Sequence, residues 1–289
     1  MEAPKISQHP PAAIHHFLSR NKHALEWGHI VLTFCLIVVS PILYLNGILG
    51  AFWGLFLFPL IGFCQNIGLM HHLDHLLPRG PKGLGLALAE LMHSLGGLNF
   101  ASTKITHFFH HKYLGTEQDP DRNGYNHMTL TFLQRVRYLF FIGPIRARFA
   151  PVDISGHLAT WSAPRLQEHQ RKVRRSHFAR FGVHLVLLGI LGVSYFIWFG
   201  ALLTANVLSN VREMVEHGNG GTAGLVNIRP SLVGLTFFST PGFWYHGIHH
   251  RNPHIHYLEL GMAAPDLIRE GRFTYLSRNG YLKYMLFGN

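Results

Sequence analysis

The chain has 289 residues, of which 48% are hydrophobic and 13% aromatic, while only 13% are charged and the formal net charge is +11. That charged share is about half of what a soluble domain carries, so composition points to lipid contact. Two cysteines inside apolar runs, Cys35 and Cys64, exclude a disulfide framework and a thiolate metal site, and a basic excess confined to a few stretches with no nucleic-acid motif beside it excludes nucleic acid as the partner.

The first 27 residues are polar, with Lys5, Arg20 and Lys22 among scattered His and Pro, and they show no cleavable signal. From Trp27 to Leu73 there is no Asp, Glu, Lys or Arg. A crossing needs about 20 apolar residues, so this run predicts two spans, a hairpin over about 28–70. Asn46-Gly47 and Gly50, flanked by Tyr44, Phe52 and Trp53, mark its turn at the membrane interface. Pro41 and Pro59 predict kinks that neighbouring helices accommodate.

Beyond it lie His71 and His75, then an apolar stretch from Leu84 to Phe100, too short to cross and broken by Gly83, Gly85, Gly96 and Gly97. It is expected as a re-entrant or interfacial helix, with His93 on it packed or solvated. His107, His110 and His111 follow in an H-x-x-H-H run, and Lys112 to Asp121 is a loop by its Gly, Pro and Asp content. Phe132 to Phe149 mixes apolar residues with Arg135, Arg137, Arg146 and Arg148, the make-up of a helix in the headgroup plane. Arg165 to Arg180 is more basic still and suits anionic lipid or an acidic partner.

Charge vanishes again from Phe181 to Val211, predicting a second hairpin over about 180–212 with its turn near Tyr195 to Gly200. Two crossings rather than one are required if His217 and the last box, His246, His249 and His250, are to share metals with the earlier histidines. All Lys and Arg lie outside the two charge-free runs of the hairpins, Trp27 to Leu73 and Phe181 to Val211, so the positive-inside rule places both termini and every histidine box in the cytoplasm. The expected architecture is an all-α, multi-pass integral membrane protein. Four transmembrane helices in two hairpins carry a cytoplasmic helical cap, segments 71–179 and 213–289, within a single domain spanning 1–289.

The chemistry rests on the histidines. Positions i, i+3 and i+4 share a helix face, so each H-x-x-H-H triplet aims three imidazoles into one space. Imidazole suits zinc, copper, nickel and iron. Nine side chains, His71, His75, His107, His110, His111, His217, His246, His249 and His250, exceed what one ion takes and imply two metals. His72 points about 100° away from His71 and is expected off the site. Other histidines before His71 and between the boxes, such as His15 and His157, are expected at the surface.

His71 to His75, His107 to His111 followed by Asp119-Pro120-Asp121, Glu216-His217, and His246 to His250 followed by Pro253-His254 together resemble the membrane fatty acid desaturase and hydroxylase superfamily. The resemblance covers roughly residues 30 to 265. It implies two non-haem irons at the cytoplasmic end of a four-helix bundle, with the nine histidines as ligands and O2 as co-substrate. It departs from the family at His72, where an acidic residue often follows the first histidine and Asp74 comes later, and at Glu213, where acyl-CoA desaturases carry an Asn. Glu213, Glu216, Asp74 and His254 are therefore candidates to hold ligands from behind.

The expected reaction is O2-dependent removal of two hydrogens from a long acyl chain in membrane lipid. Hydroxylation of an alkane, lipid or carotenoid is the alternative on the same scaffold, and a histidine-rich metal transporter the rival from another class. Electrons are expected from a separate ferredoxin or cytochrome b5 type donor. Arg171 to Arg175 offer a dock for it, for acyl carrier protein or for a CoA-linked substrate.

Overall fold

The computed structural model describes residues 12–122, 131–137, 152–217, 225, 227–228, 232–238, 245–262, 275–276 and 281. Helices dominate these residues, and the strands among them are a parallel two-residue pair, β1 (Asn227–Ile228) and β2 (Tyr275–Leu276). A short helix, α1 (Ala12–Arg20), leads into α2 (Lys22–Leu45), which turns at Asn46-Gly47 into α3 (Phe52–His75).

Both α2 and α3 widen into a π-helical turn just ahead of a proline, Cys35–Val39 before Pro41 and Phe52–Leu57 before Pro59. Proline has no N–H to give to the carbonyl four residues back, and its ring crowds that carbonyl. The carbonyl concerned in α2 is that of Ile37, and the indole N–H of Trp198 donates to it at 2.8 Å. The kink expected at Pro41 is thus a widened turn sealed by a side chain from another helix. Close packing of α2 on α3 depends on Gly62, where a Cβ would stand 2.8 Å from Ile37 Cγ1 and Leu36 Cβ.

After α3 come α4 (Leu84–Leu95) and α5 (Phe100–Tyr113), joined by a glycine turn. Twelve residues cannot cross a hydrocarbon core of about 30 Å, and α4 instead buries Gly85, Ala89, Met92 and Leu95 inside the molecule. Asn66 on α3 donates to the Met92 carbonyl at 2.9 Å. Asn99 caps α5 by accepting the Ser102 N–H at 3.0 Å and donates to the Val173 carbonyl at 2.8 Å. These bonds set α5 alongside α3, histidines facing histidines.

Of the stretch expected to lie in the headgroup plane, Phe132–Arg137 forms a short helix, and 138–149 lies outside the described residues. The helical run Ala163–Glu216 breaks at Gly192–Ser194 into α6 (Ala163–Leu191) and α7 (Tyr195–Glu216). Gly192 sits at φ +56°, a conformation that ends a right-handed helix at little steric cost only for glycine. His184 Nδ1 then lies 2.8 Å from Tyr195 Oη, whereas eleven residues along a straight helix would separate them by roughly 16 Å. The helix is broken here, three residues before the Tyr195 to Gly200 turn read from the sequence. Those residues instead open α7, because the glycine that ends α6 precedes them.

The described core joins Ile37 of α2, Leu60 and Phe63 of α3, Met92 of α4, and Trp198, Ala201 and Ala205 of α7. Trp198 meets Phe63 edge-on with ring centres 4.9 Å apart. Three helical stretches, α2, α3 and Ala163–Glu216, are long and apolar enough to cross a membrane. Val31, Leu32, Ile42, Phe52, Trp53, Val186, Ile190 and Phe196 stand exposed on them, a surface that suits lipid rather than water. A last short helix, α8 (His246–Arg251), is fixed at its start by Asn227, whose side-chain oxygen accepts the Gly247 N–H at 3.1 Å.

Candidate metal centre

All nine sequence-predicted histidines converge, and they form two adjoining groups. The first holds His71 and His75 from the end of α3, His107 and His111 from α5 and His249 from α8. Its Nε2 atoms approach to 2.9 Å for His71 and His249, 2.8 Å for His75 and His107, 3.1 Å for His75 and His111, and 3.0 Å for His107 and His111. The second holds His110 from α5, His217 at the end of α7, and His246 and His250 from α8. There His217, His246 and His250 present Nε2 atoms 2.9–3.1 Å apart. The two groups share a wall where the rings of His111 and His250 stack at 4.3 Å.

Helix geometry explains the division. At 100° per residue, i and i+4 diverge by about 40°, while i+3 lies about 60° to the other side. In α5 the i and i+4 histidines, 107 and 111, enter the first group and His110 enters the second. In α8 the pattern is exchanged: 246 and 250 enter the second group and His249 enters the first. Each box therefore gives two nitrogens to one group and one nitrogen across to the other.

These nitrogens fit metal ions better than one another. A neutral imidazole has one N–H, so three Nε2 atoms in mutual contact, those of His75, His107 and His111, cannot all be hydrogen-bonded, whereas a central cation satisfies every lone pair. With metal–nitrogen bonds of about 2.0–2.1 Å, nitrogens at right angles lie about 2.9 Å apart and tetrahedral ones about 3.3–3.4 Å. The observed separations of 2.8–3.1 Å are of the size expected for nitrogens that share an ion.

Burial and the neighbouring imidazoles hold His107, His246, His249 and His250 well below the ordinary histidine pKa, and burial brings His217 down to about 4. These rings are therefore neutral at neutral pH. Burial also opposes the charged form of His110, but the Asp119, Asp121 and Glu213 carboxylates outweigh it and its pKa is raised.

Behind the rings stand polar partners. Asp119, the first acid of Asp119-Pro120-Asp121, is 5% exposed and accepts from His110 Nδ1 at 2.9 Å, from the Asp121 N–H at 2.9 Å and from the Gly115 N–H at 3.2 Å. The backbone carbonyl of Glu213 is 3.1 Å from His217 Nδ1 and its carboxylate 3.3 Å. Glu216 lies 3.4 Å from His246 Nδ1 and is itself held by Arg212 Nε and Tyr281 Oη, each at 2.9 Å. Such partners orient a ligating imidazole and fix its tautomer.

The remaining candidates sit elsewhere. Asp74 faces His93 at 3.2 Å, so that histidine is packed against a carboxylate. His72 turns away from the centre to Glu26 at 3.1 Å. His254 is exposed, and the buried histidine of that segment is His256. His15, expected at the surface, is 7% exposed and packs its ring against Tyr245. Sequence reasoning gave Asp119 no holding role and missed Tyr281. Asp119 lies nine residues from His110 across a loop with no helical period to link them. Tyr281 is 65 residues from Glu216 and carries no local signal at all.

The family model for fatty acid desaturases matches residues 50–281, about four-fifths of the chain. No curated protein and no solved structure matches it.

Proposed function

The chain belongs to the fatty acid desaturase family, an oxidoreductase family of the desaturase and hydroxylase type, and on that premise we propose an O2-dependent membrane di-iron enzyme that introduces a C=C bond into a long-chain acyl substrate. The observation that carries this reading is the pair of adjoining histidine groups, five nitrogens and four. Two irons held there would supply, with O2, the oxidising power that an unactivated C–H bond demands. Saturation leaves that bond no acid–base handle.

The protein's own part is to hold and to exclude. His71, His75, His107, His111 and His249 hold one ion, and His110, His217, His246 and His250 the other. Asp119 keeps His110 presenting Nε2, and the Arg212–Glu216–Tyr281 cluster braces His246. The apolar packing of α3, α4 and α7 beneath the histidines keeps water from that side. Since the ligands gather at one end of α3 and α7 instead of lining a path along them, the arrangement favours catalysis over ion transport.

The topology we propose is four crossings, with α6 and α7 as the second hairpin and the histidines and both termini in the cytoplasm. Neither the Asn46 to Ala51 turn nor Gly192–Ser194 carries Lys or Arg, and the basic residues lie at the opposite ends of the helices. Electrons then come from a separate ferredoxin or cytochrome b5 type donor. The exposed Arg171, Lys172, Arg174 and Arg175 near the start of α6 suit that acidic protein, an acyl carrier protein or a CoA-linked substrate. Expression in a host poor in desaturases, followed by mass spectrometry of its lipids and fatty acids, tests the reading. Products lighter by two hydrogens support desaturation, a gain of oxygen assigns hydroxylation, and an unchanged profile together with an iron-free protein overturns the enzyme.

A further inference from the structure

A third group of metal-ligating side chains lies outside the histidine centre, where the start of α2 meets the segment that follows α8. His23 and Glu26, one turn apart on α2, face His256 with ligand atoms all within 4.8 Å of one another. Glu26 is 2% exposed and His256 7%. One carboxylate oxygen of Glu26, Oε1, is engaged by His72 Nε2 at 3.1 Å. The other, Oε2, is 3.8 Å from His23 Nδ1, and His256 Nε2 is 3.6 Å from Oε1. Both distances are too long for hydrogen bonds, and His23 Nδ1 and His256 Nε2 are buried atoms without a hydrogen-bond partner.

We propose that His23, Glu26 and His256 form a third metal site, which takes a divalent cation of the zinc class and fastens the start of α2 to the chain behind the last histidine box.

Two imidazoles and one carboxylate with a position left for water are a ligand set that zinc accepts. His256 Nε2 lies 3.6 Å from Oε1 and His23 Nδ1 3.8 Å from Oε2, so the one carboxylate stands between both imidazoles. His72 plays the part of the outer hydrogen-bond donor, holding Oε1 so that Oε2 turns to His23. Charge gives the same answer. Glu26 is a buried carboxylate whose ion-pair partners among the described residues are histidines alone, and a divalent cation balances it without protonating them. Ligation through Nε2 moves the His256 ring proton to Nδ1 and gives up the 3.3 Å contact from the Leu258 N–H, a weak bond against three metal–ligand bonds. The surrounding contacts already join the same two segments: Lys22 and Ser19 reach Glu259 at 2.7 and 2.9 Å, and His29 reaches Tyr257 at 3.2 Å.

The test uses the iron-replete, full-length protein in detergent, equilibrated with zinc and then washed in metal-free buffer, with both metals counted per chain. The expected result is one zinc beyond two irons, with an X-ray absorption edge showing mixed imidazole and oxygen donors. Glu26→Gln and His23→Ala should each weaken zinc binding by more than the roughly 10–100-fold that loss of an outer partner causes, while iron stays at two. Should Glu26→Gln lose iron and zinc together through misfolding, the half-exposed His23→Ala decides: zinc lost with iron retained supports the site. No third equivalent in the unaltered chain, or zinc that survives both substitutions and therefore occupies the histidine groups, overturns it. Iron stoichiometry in the same samples reports separately on the di-iron reading.

Discussion

Asp119 offers the sharpest test of how the centre is built, because it touches one ligand of one group. Its carboxylate accepts from His110 Nδ1 at 2.9 Å and also from two backbone N–H groups. Losing a carboxylate behind a ligating histidine weakens metal binding about 10–100-fold, or about 1.4–2.7 kcal/mol. Asp119→Ala also takes that acceptor from the half-buried Gly115 and Asp121 N–H groups, at about 1 kcal/mol each, so the loop after α5 loosens as well. Asp119→Asn keeps an acceptor oxygen and loses only the charge, so its effect should fall at the low end for metal and be slight for stability. Iron remaining per chain is then followed during chelator titration, with Mössbauer spectra to tell the two irons apart. In Asp119→Ala the iron held by His110, His217, His246 and His250 should leave first, while the five-histidine iron keeps its unaltered affinity. Equal loss of both irons, or a chelation curve identical to the unaltered protein, would refute the division into two groups.

Other perturbations probe the supports around the centre. Arg212→Ala strands the buried Glu216 carboxylate, which should lower stability by about 3–5 kcal/mol, whereas Tyr281→Phe removes one bond to that carboxylate and should lower it by about 1.5–3 kcal/mol; equal denaturation midpoints in urea would contradict both. The metal-free chain should lose stability in acid. His217, at about 4, and His107, His246, His249 and His250, well below the ordinary value, all have lowered folded pKa values, so the unfolded chain binds more protons between about 6.5 and 4 and stability falls as pH drops through that window. A melting temperature that is flat from pH 7 to pH 5 would show that these rings protonate freely in the fold. Reversing charge at Arg171, Lys172, Arg174 and Arg175 should slow turnover with an acidic protein donor, most strongly at low salt, and leave turnover with a small chemical reductant unchanged; equal rates with the protein donor would remove this face as its dock.

What the sequence made legible follows the range of the forces involved. Apolar length is a local property, so the stretch from Trp27 to Leu73 announced α2 and α3, and the shortness of Leu84 to Phe100 announced a helix that does not cross. Exact turns are harder to read. Apolar and aromatic residues run unbroken across Gly192, and only the φ of that glycine, set by how α6 and α7 pack, separates a helix end from its continuation. The widened turns before Pro41 and Pro59 were equally hidden. A proline says that a carbonyl is released, but the tryptophan that seals the Ile37 carbonyl comes from 161 residues away.

The same distinction governs the centre. The two H-x-x-H-H triplets were readable as convergent sets because i, i+3 and i+4 lie on one face whatever the surroundings. Their assignment to ions was not, since an arc of about 100° between i+3 and i+4 is narrow enough to serve one ion and wide enough to straddle two. What decides is the partner helix. Because α3 supplies His71 and His75 to the side of α5 where 107 and 111 point, and α7 ends with His217 on the side of His110, the boxes in α5 and α8 must split in opposite senses. Two identical H-x-x-H-H strings thereby hold unequal sets, five nitrogens and four. The inequality originates in α3 contributing two histidines where α7 contributes one.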